Sequence, residues 1–137
     1  MSLKSNFIYF IFLLTVLTSC QSNAISFCIE SQEIQSENSK GLHRIYIEND
    51  STIETYMIEW QEKIAPPLKL NLLYIPKGYF IKSGWQNVLI DISDFKLKSN
   101  SKYTFRRSQG DASGYEIKII TDNKSAILSS NKEKCTK

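Results

Sequence analysis

The side chains that could carry acid–base chemistry are few in this chain, and their arrangement does not favour catalysis. His43 is the only histidine, and its place beside Ile45 in an alternating strand pattern is typical of a structural histidine. Asp91 and Asp94 could bind a cation or act on a sugar, but carboxylates at a strand end more often cap a turn. No zinc spacing, phosphate loop or dinucleotide fingerprint is present in the sequence. We therefore predict a protein that is not an enzyme, without a metal or cofactor.

Two of the three cysteines in the chain are Cys28 and Cys135. They lie near the two ends of residues 20–137. Neither has the sequence context of a catalytic thiol. In an oxidising compartment they could form a disulfide closing a loop of about 107 residues, worth roughly 4 to 5 kcal/mol in the chain-entropy model. The alternative is one buried cysteine in a strand and one free cysteine in a frayed tail.

The first 19 residues have the layout of a secretory signal. Lys4 gives a short basic start, and residues 7–17 form an uncharged apolar run. This run is well short of the roughly 20 apolar residues that a membrane-spanning helix needs. The pattern therefore predicts a cleaved signal peptide.

The end of the apolar run resembles a bacterial lipobox, a branched apolar residue and two small residues before a cysteine: Leu17-Thr18-Ser19-Cys20. The resemblance implies that Cys20 carries diacylglycerol on its sulfur and becomes the mature N-terminus, with residues 20–24 as a short tether. Several acyl chains, at about 0.8 kcal/mol per buried CH₂, anchor a protein durably. Gln21 stands where an Asp often retains lipoproteins at the inner membrane, so the periplasmic face of the outer membrane is favoured. An ordinary secretory signal with an incidental cysteine is the alternative.

The chain has 137 residues, of which 42% are hydrophobic, and a formal net charge of +3. These values predict one folded domain and exclude a fibrous or fully disordered protein. The charge is uneven, because residues 21–62 carry a net −6 and residues 63–137 a net +8. Either the two parts pair in the fold, or a polarised surface attracts a charged partner. We expect no nucleic-acid partner, because no basic-aromatic motif is present.

Hydrophobic residues recur with a period of two along most of residues 25–130, which predicts half-buried strands. Seven to nine short antiparallel strands, with turns about every 8 to 12 residues, are typical of a β-sandwich. Residues 31–41 are polar and predict a loop, and residues 131–137 predict a polar tail. Residues 53–64 fit a helical stripe as well as an alternating pattern, and their β-branched and aromatic residues favour a strand.

Residues 97–105 resemble the tyrosine corner of fibronectin type III and other immunoglobulin-like domains. Leu97, Ser101 and Tyr103 keep the pattern, and Ser99 stands where these families usually have proline. The resemblance implies an immunoglobulin-like sandwich in which the Tyr103 hydroxyl caps the backbone and its ring joins the core. An ordinary hairpin turn is the alternative.

Aromatic and basic side chains crowd around two predicted turns, at residues 76–78 and 83–84. The candidates for partner binding are Lys77, Tyr79, Phe80, Lys82 and Trp85. Aromatic residues with bases at a loop end are typical of protein interfaces. Core packing is the alternative for each ring, and Trp85, next to Gly84, is the ring expected to be most exposed.

Several of these features together resemble small bacterial lipoproteins identified as type VI secretion immunity proteins. The features are Cys20, Cys28, Trp60, the run Leu72-Leu73-Tyr74-Ile75, the turn Pro76-Lys77-Gly78-Tyr79, and Leu97 with Tyr103. The resemblance implies a membrane-anchored periplasmic domain that binds a toxic effector and blocks it by steric occlusion. The alternative function is that of a structural or assembly lipoprotein of the envelope or of a secretion complex.

Overall fold

The structure, a computed structural model, describes residues 24–109 and 112–136. The predicted signal peptide, Leu17, Thr18, Ser19 and the predicted lipidation site Cys20 lie outside the described residues. The described chain forms ten strands: β1 (Ile25–Cys28), β2 (Glu33–Ser36), β3 (Arg44–Asn49), β4 (Thr55–Trp60), β5 (Lys69–Asn71), β6 (Tyr79–Ser83), β7 (Val88–Ile90), β8 (Lys102–Gln109), β9 (Ala112–Thr121) and β10 (Ile127–Ser130). A single 3-10 turn spans Ile92–Asp94.

Two antiparallel sheets form a β-sandwich, which confirms the predicted all-β class. One sheet has the order β1-β2-β5, and the other has the order β10-β9-β8-β3-β4-β6-β7. The division into three and seven strands differs from the four and three of constant-type immunoglobulin domains. The resemblance to that family therefore rests on the tyrosine corner.

Two segments bear on the expectations from sequence. Residues 55–60 form β4, the strand that their β-branched and aromatic content favours. The loop predicted over residues 31–41 is wrong in part, because Glu33–Ser36 form β2 between β1 and β5. Ile34 is fully buried there, and Gln35 is buried with its side-chain oxygen accepting a hydrogen bond from the Thr136 backbone. Because Gln35 is polar but buried, with its hydrogen bond supplied by a distant segment, residues 33–36 do not show the apolar–polar alternation by which a strand is recognised in a sequence.

The core fills the space between the sheets with alternate residues of the strands. The small sheet contributes Ile25, Phe27, Ile34 and Leu70. The large sheet contributes Ile45, Ile47, Ile58, Trp60, Tyr79, Ile81, Tyr103, Phe105, Ile117, Ile119 and Ile127. Side chains alternate along a strand, so on the large sheet the residues between its core residues point away from the core. They form the outer face of that sheet.

The C-terminal segment covers the outer edge of β1. The backbone N–H of Phe27 donates to the Lys132 carbonyl at 2.9 Å, and the Lys134 N–H donates to the Phe27 carbonyl at 3.0 Å. An exposed strand edge can pair with other chains, and this segment occupies the edge instead. Residues 132–134, predicted as part of a polar tail, are therefore an ordered part of the sandwich.

The Tyr103 side chain makes the contact of a tyrosine corner. Its hydroxyl accepts a hydrogen bond from the Lys98 backbone N–H at 2.8 Å and donates one to Glu54 Oε2 at 3.2 Å. Its ring is fully buried, and Leu97 is buried in the same core. Burial raises the pKa of the Tyr103 phenol.

Acidic side chains of residues 21–62 form ion pairs with basic side chains of residues 63–137, so the two oppositely charged parts of the chain pair in the fold. Ion pairs between them are Glu37–Lys134, Glu48–Arg106, Glu54–Lys98 and Glu59–Lys82. Within residues 24–109 and 112–136, the structure contains no helix that is long and apolar enough to cross a membrane.

Candidate binding cleft on the seven-stranded sheet

A cleft of about 410 Å³ lies on the outer face of the large sheet, over β3, β4 and β6. We call it the Trp85 cleft, after the side chain in the β6–β7 turn that lines one part of it. Its lining residues are Arg44, Tyr46, Ile47, Glu48, Thr55, Tyr56, Met57, Glu59, Lys82, Gly84, Trp85 and Asn87. Strand alternation brings many of these side chains together, because residues 44, 46 and 48 point outward while Ile45 and Ile47 point into the core.

A charged group of three residues, Arg44, Glu59 and Lys82, forms part of the cleft wall. The register places Arg44 opposite Glu59 on β4, and Lys82 lies on the next strand. Arg44 donates to Glu59 Oε1, and Lys82 Nζ donates to Glu59 Oε2 at 3.0 Å. Burial alone would raise the pKa of Glu59, but these hydrogen bonds outweigh it and lower the pKa below its ordinary value. The same hydrogen bond raises the pKa of Arg44.

A second charged group lies toward β8 and β9 on the same outer face. Arg106 donates to Glu48 and, through Nε at 3.1 Å, to Glu116. All three side chains are more than two-fifths exposed. The side chains of the group around Glu59 sum to +1 and those of the group around Arg106 to −1, and the exposed Lys102 and Lys118 flank the second group on β8 and β9.

The β6–β7 turn holds an aromatic side chain out in solvent. Trp85 is 84% exposed, and it stands between two residues with positive φ, Gly84 and Asn87. The Asn87 N–H donates to the Gly84 carbonyl at 3.2 Å, which closes the turn. Val88 and Leu89 in β7 are also exposed. An exposed tryptophan on an ordered turn is the type of side chain that anchors protein interfaces.

The five predicted partner-binding residues fall into different places. Trp85 and Lys82 both line the Trp85 cleft. Phe80 is 49% exposed. It points outward from β6 and lines a separate groove along β7. Lys77 is exposed at residues 76–78, away from the cleft lining.

Tyr79 corrects the prediction, because it belongs to the core. It is 2% exposed, its ring lies 4.9 Å from that of Trp60, and its hydroxyl donates to the Leu42 carbonyl at 2.7 Å. Burial raises the pKa of its phenol. Neighbouring side chains of a strand point to opposite faces of the sheet. Because Phe80 points outward, Tyr79 points into the core.

Sequence inspection missed Arg44, Glu59 and Tyr46 as parts of the cleft. Alternation predicts that these residues point outward, but it does not say which strands are neighbours. Arg44 on β3 pairs with Glu59 on β4, 15 residues further along, whereas β3 pairs with β8 across about 60 residues, and this register places the groups side by side.

Asp91 and Asp94 lie at the 3-10 turn, and His43 lies just before β3. The Asp91 carboxylate accepts hydrogen bonds from the Ser93 N–H and hydroxyl and so caps the 3-10 turn, which includes Asp94. His43 lies just before β3, where its carbonyl accepts from the Trp60 N–H at 2.8 Å. Within the described ranges, no three His, Cys, Asp or Glu side chains are grouped so that they could hold a metal ion.

The structure joins Cys28 to Cys135 in a disulfide. Cys28 is buried at the end of β1, and Cys135 is exposed in the C-terminal segment. The bond therefore fastens the segment that covers the edge of β1.

The fold and its outer face define an all-β sandwich domain with a charged, aromatic cleft on its large sheet. Comparison of the chain with protein-family models, with curated proteins and with solved structures gives no match.

Proposed function

We propose that this chain is a lipoprotein of the bacterial envelope whose sandwich is a non-enzymatic binding domain. Cys20 anchors the domain to a membrane through its acyl chains, with the periplasmic face of the outer membrane as its site. The domain binds a secreted toxic effector that reaches the periplasm and covers its active surface. Protection by this mechanism needs tight association and no turnover.

The observation that carries this proposal is the Trp85 cleft. Interface hot spots are enriched in Trp, Tyr and Arg, and this cleft combines Trp85 with Tyr46 and Arg44 beside it. The charged side chains of the cleft are held in place before a partner arrives, because Arg44 and Lys82 both bond to Glu59. A preformed surface loses little conformational entropy on binding, and this favours the affinity that an inhibitor needs.

The disulfide and the signal motif support the compartment. Disulfides persist in oxidising compartments such as the periplasm and are rare in the cytosol. The Cys28–Cys135 bond and the lipobox-like residues 17–20 are independent features of the chain, and both agree with export.

A protection assay tests the function. A strain lacking the gene is challenged by sibling cells with an active secretion system, and its survival is measured with and without a plasmid-borne copy. We expect loss of survival in the deletion strain and recovery with the wild-type gene or with Tyr74→Ala. We expect no recovery with Trp85→Ala. Tyr74 is the matched control, because it is an equally exposed aromatic residue outside the cleft.

Unchanged survival of the deletion strain overturns the immunity function. Photo-crosslinking from position 85 in living cells then distinguishes the remaining possibility. Crosslinks to several envelope proteins, absent from position 74, would identify an assembly lipoprotein. Incorporation of labelled palmitate that is lost in Cys20→Ser tests the anchor separately.

A further inference from the structure

We infer that the Trp85 cleft recognises an acidic segment of a protein partner, with a carboxylate bound between Arg44 and Lys82 and an adjacent apolar or aromatic side chain packed on Trp85. This inference rests on the proposed binding function and names the chemistry of the partner. It follows from three features of the cleft: the N–H donors that Arg44 and Lys82 keep, the burial of Glu59 beneath them, and the exposed ring of Trp85.

Both oxygens of the Glu59 carboxylate already accept hydrogen bonds, and its two cationic neighbours keep further N–H donors. Glu59 is 9% exposed at its side chain, and each of its oxygens accepts from a different cation. Arg44 uses Nε and Nη2 for the same oxygen, Glu59 Oε1. A guanidinium has five N–H groups and an ammonium three, so both side chains keep donors for a ligand. Their exposed fractions, 38% for Arg44 and 27% for Lys82, make those donors accessible.

This arrangement favours an anion over a cation. The group of three carries a net charge of +1, and its negative member is buried beneath the positive ones. A ligand that approaches from solvent therefore meets the cations first. Partial burial lowers the local dielectric, which strengthens a charge-assisted hydrogen bond between an arriving carboxylate and these donors.

The other charged group on the face limits the kind of anion. Glu48, which also lines the cleft, bonds to Arg106 and is 43% exposed at its side chain, so it presents a carboxylate to any ligand that fills the cleft. Glu48 therefore disfavours a second negative charge on a ligand that fills the whole cleft. A protein segment can place a carboxylate near Trp85 and a neutral or basic side chain near Glu48. The polarity of the face thus matches a segment of mixed charge.

Trp85 supplies the apolar contact. Its ring is 84% exposed and lines the same cleft as Arg44 and Lys82. When a partner side chain covers this ring, water is excluded from the neighbouring cations, and the bound carboxylate interacts with them more strongly.

Fluorescence quenching tests the positive potential without a partner. The chain has two tryptophans, and Trp60 is buried whereas Trp85 is exposed, so ionic quenchers report on Trp85. We expect the ratio of iodide to caesium quenching at low salt to be about twice the ratio for free N-acetyltryptophanamide, and this difference to shrink as salt is added. Lys82→Gln should abolish the difference, and Lys77→Gln, an exposed lysine outside the cleft, should preserve it. Trp85→Phe gives the residual signal of Trp60.

A wild-type ratio of iodide to caesium quenching equal to that of free N-acetyltryptophanamide overturns the inference. The same change in Lys77→Gln as in Lys82→Gln also overturns it, because the effect would then come from net charge. Thermal melts followed by circular dichroism check that each variant is folded, and Lys82→Arg keeps the charge if Lys82→Gln fails to fold.

Peptide binding tests the ligand class. The probe is the capped tetrapeptide Gly-Phe-Glu-Gly, compared with Gly-Phe-Gln-Gly and with inorganic phosphate, and the indole N–H resonance of Trp85 is followed by NMR. We expect a saturable shift with the Glu peptide that weakens about tenfold or more in Lys82→Gln. No saturable shift with the Glu peptide, an equal affinity for the Gln peptide, or a tighter response to phosphate each overturns the acidic-segment assignment. Because neither probe involves a toxin, these results stand apart from the survival assay, which can fail while the cleft chemistry holds.

Discussion

Cys28 and Cys135, which are 107 residues apart in the chain, are joined by a disulfide that brings their Cα atoms to 4.6 Å. The bond links the buried end of β1 to the segment that pairs with its outer edge. Without the bond, the hydrogen bonds of Phe27 with residues 132 and 134 are the main attachment of that segment to β1. The disulfide therefore holds closed a strand edge that would otherwise fray.

We expect Cys135→Ser to lower the free energy of unfolding by about 2 to 4 kcal/mol, below the roughly 4 to 5 kcal/mol that loop-closure entropy alone would give. Urea denaturation with and without reductant measures the effect. Reductant should shift the midpoint of the wild-type protein to that of the variant and leave the variant unchanged. A wild-type midpoint that ignores reductant, with mass spectrometry showing full reduction, would contradict the prediction.

The sequence predicted the parts of the fold that depend on local alternation. The sandwich class follows from repeated period-two segments, and the Tyr103 corner from a short motif. The parts that depend on long-range pairing were not accessible. Residues 31–41 lack a clear period because their structure depends on distant contacts. The Gln35 side chain accepts a hydrogen bond from the Thr136 N–H, and Arg107 of β8 donates one to Ser36. The cleft likewise needs the register of β3, β4 and β6, which no local pattern encodes.

Arg107 on β8 organises the loop that follows β2. Its guanidinium is fully buried and donates to Ser36 Oγ at the end of β2 and to three acceptors on that loop: Asn38 Oδ1 and the carbonyls of Lys40 and Gly41. Burial lowers the pKa of Arg107. The adjacent Arg106 points the other way, to solvent.

We expect Arg107→Met to cost about 3 kcal/mol or more of unfolding free energy, because it deprives several partly buried loop acceptors of their donor. Arg106→Met is the matched control and should cost at most about 1 kcal/mol, since its ion pairs are exposed. Chemical denaturation of the two variants gives the comparison. Equal losses would mean that the loop does not depend on Arg107.

Two glycines with positive φ differ in the space around them. Gly78, at φ +102°, would place a Cβ 2.5 Å from the Trp60 ring, whereas Gly84, at φ +68°, has no atom within 4 Å of that point. Gly84→Ala should therefore cost only the left-handed backbone strain, about 1 to 2 kcal/mol. Gly78→Ala should cost about 1 to 3 kcal/mol beyond that, because Trp60 must move in a packed core.

Thermal denaturation of both alanine variants measures this difference, and the fluorescence of Trp60, read in a Trp85→Phe background, reports the displacement of its ring. A Gly78→Ala protein as stable as Gly84→Ala, with an unchanged emission spectrum, would show that the ring moves without cost.

Glu59 makes the stability of the outer face depend on acid. Its pKa is lowered in the folded protein, from an ordinary value of 4.5, because the hydrogen bonds from Arg44 and Lys82 outweigh its burial. A carboxyl with a lowered folded-state pKa binds protons more tightly in the unfolded chain. Its contribution to stability is therefore present above pH 4.5 and is lost as the pH falls through the folded-state pKa.

We expect Glu59→Gln to lower the unfolding free energy at pH 7 by about 1 to 2 kcal/mol, because two cations then face each other without a carboxylate between them. The difference between variant and wild type should shrink as the pH falls from 5 to about 2, because protonation removes the charge of Glu59 in the wild type as well. Glu116→Gln, an exposed carboxylate on the same face, is the control and should leave the acid dependence close to that of the wild type. Urea midpoints measured across this range decide the matter, and a constant difference between Glu59→Gln and wild type would show that the carboxylate is not held ionised by its two partners.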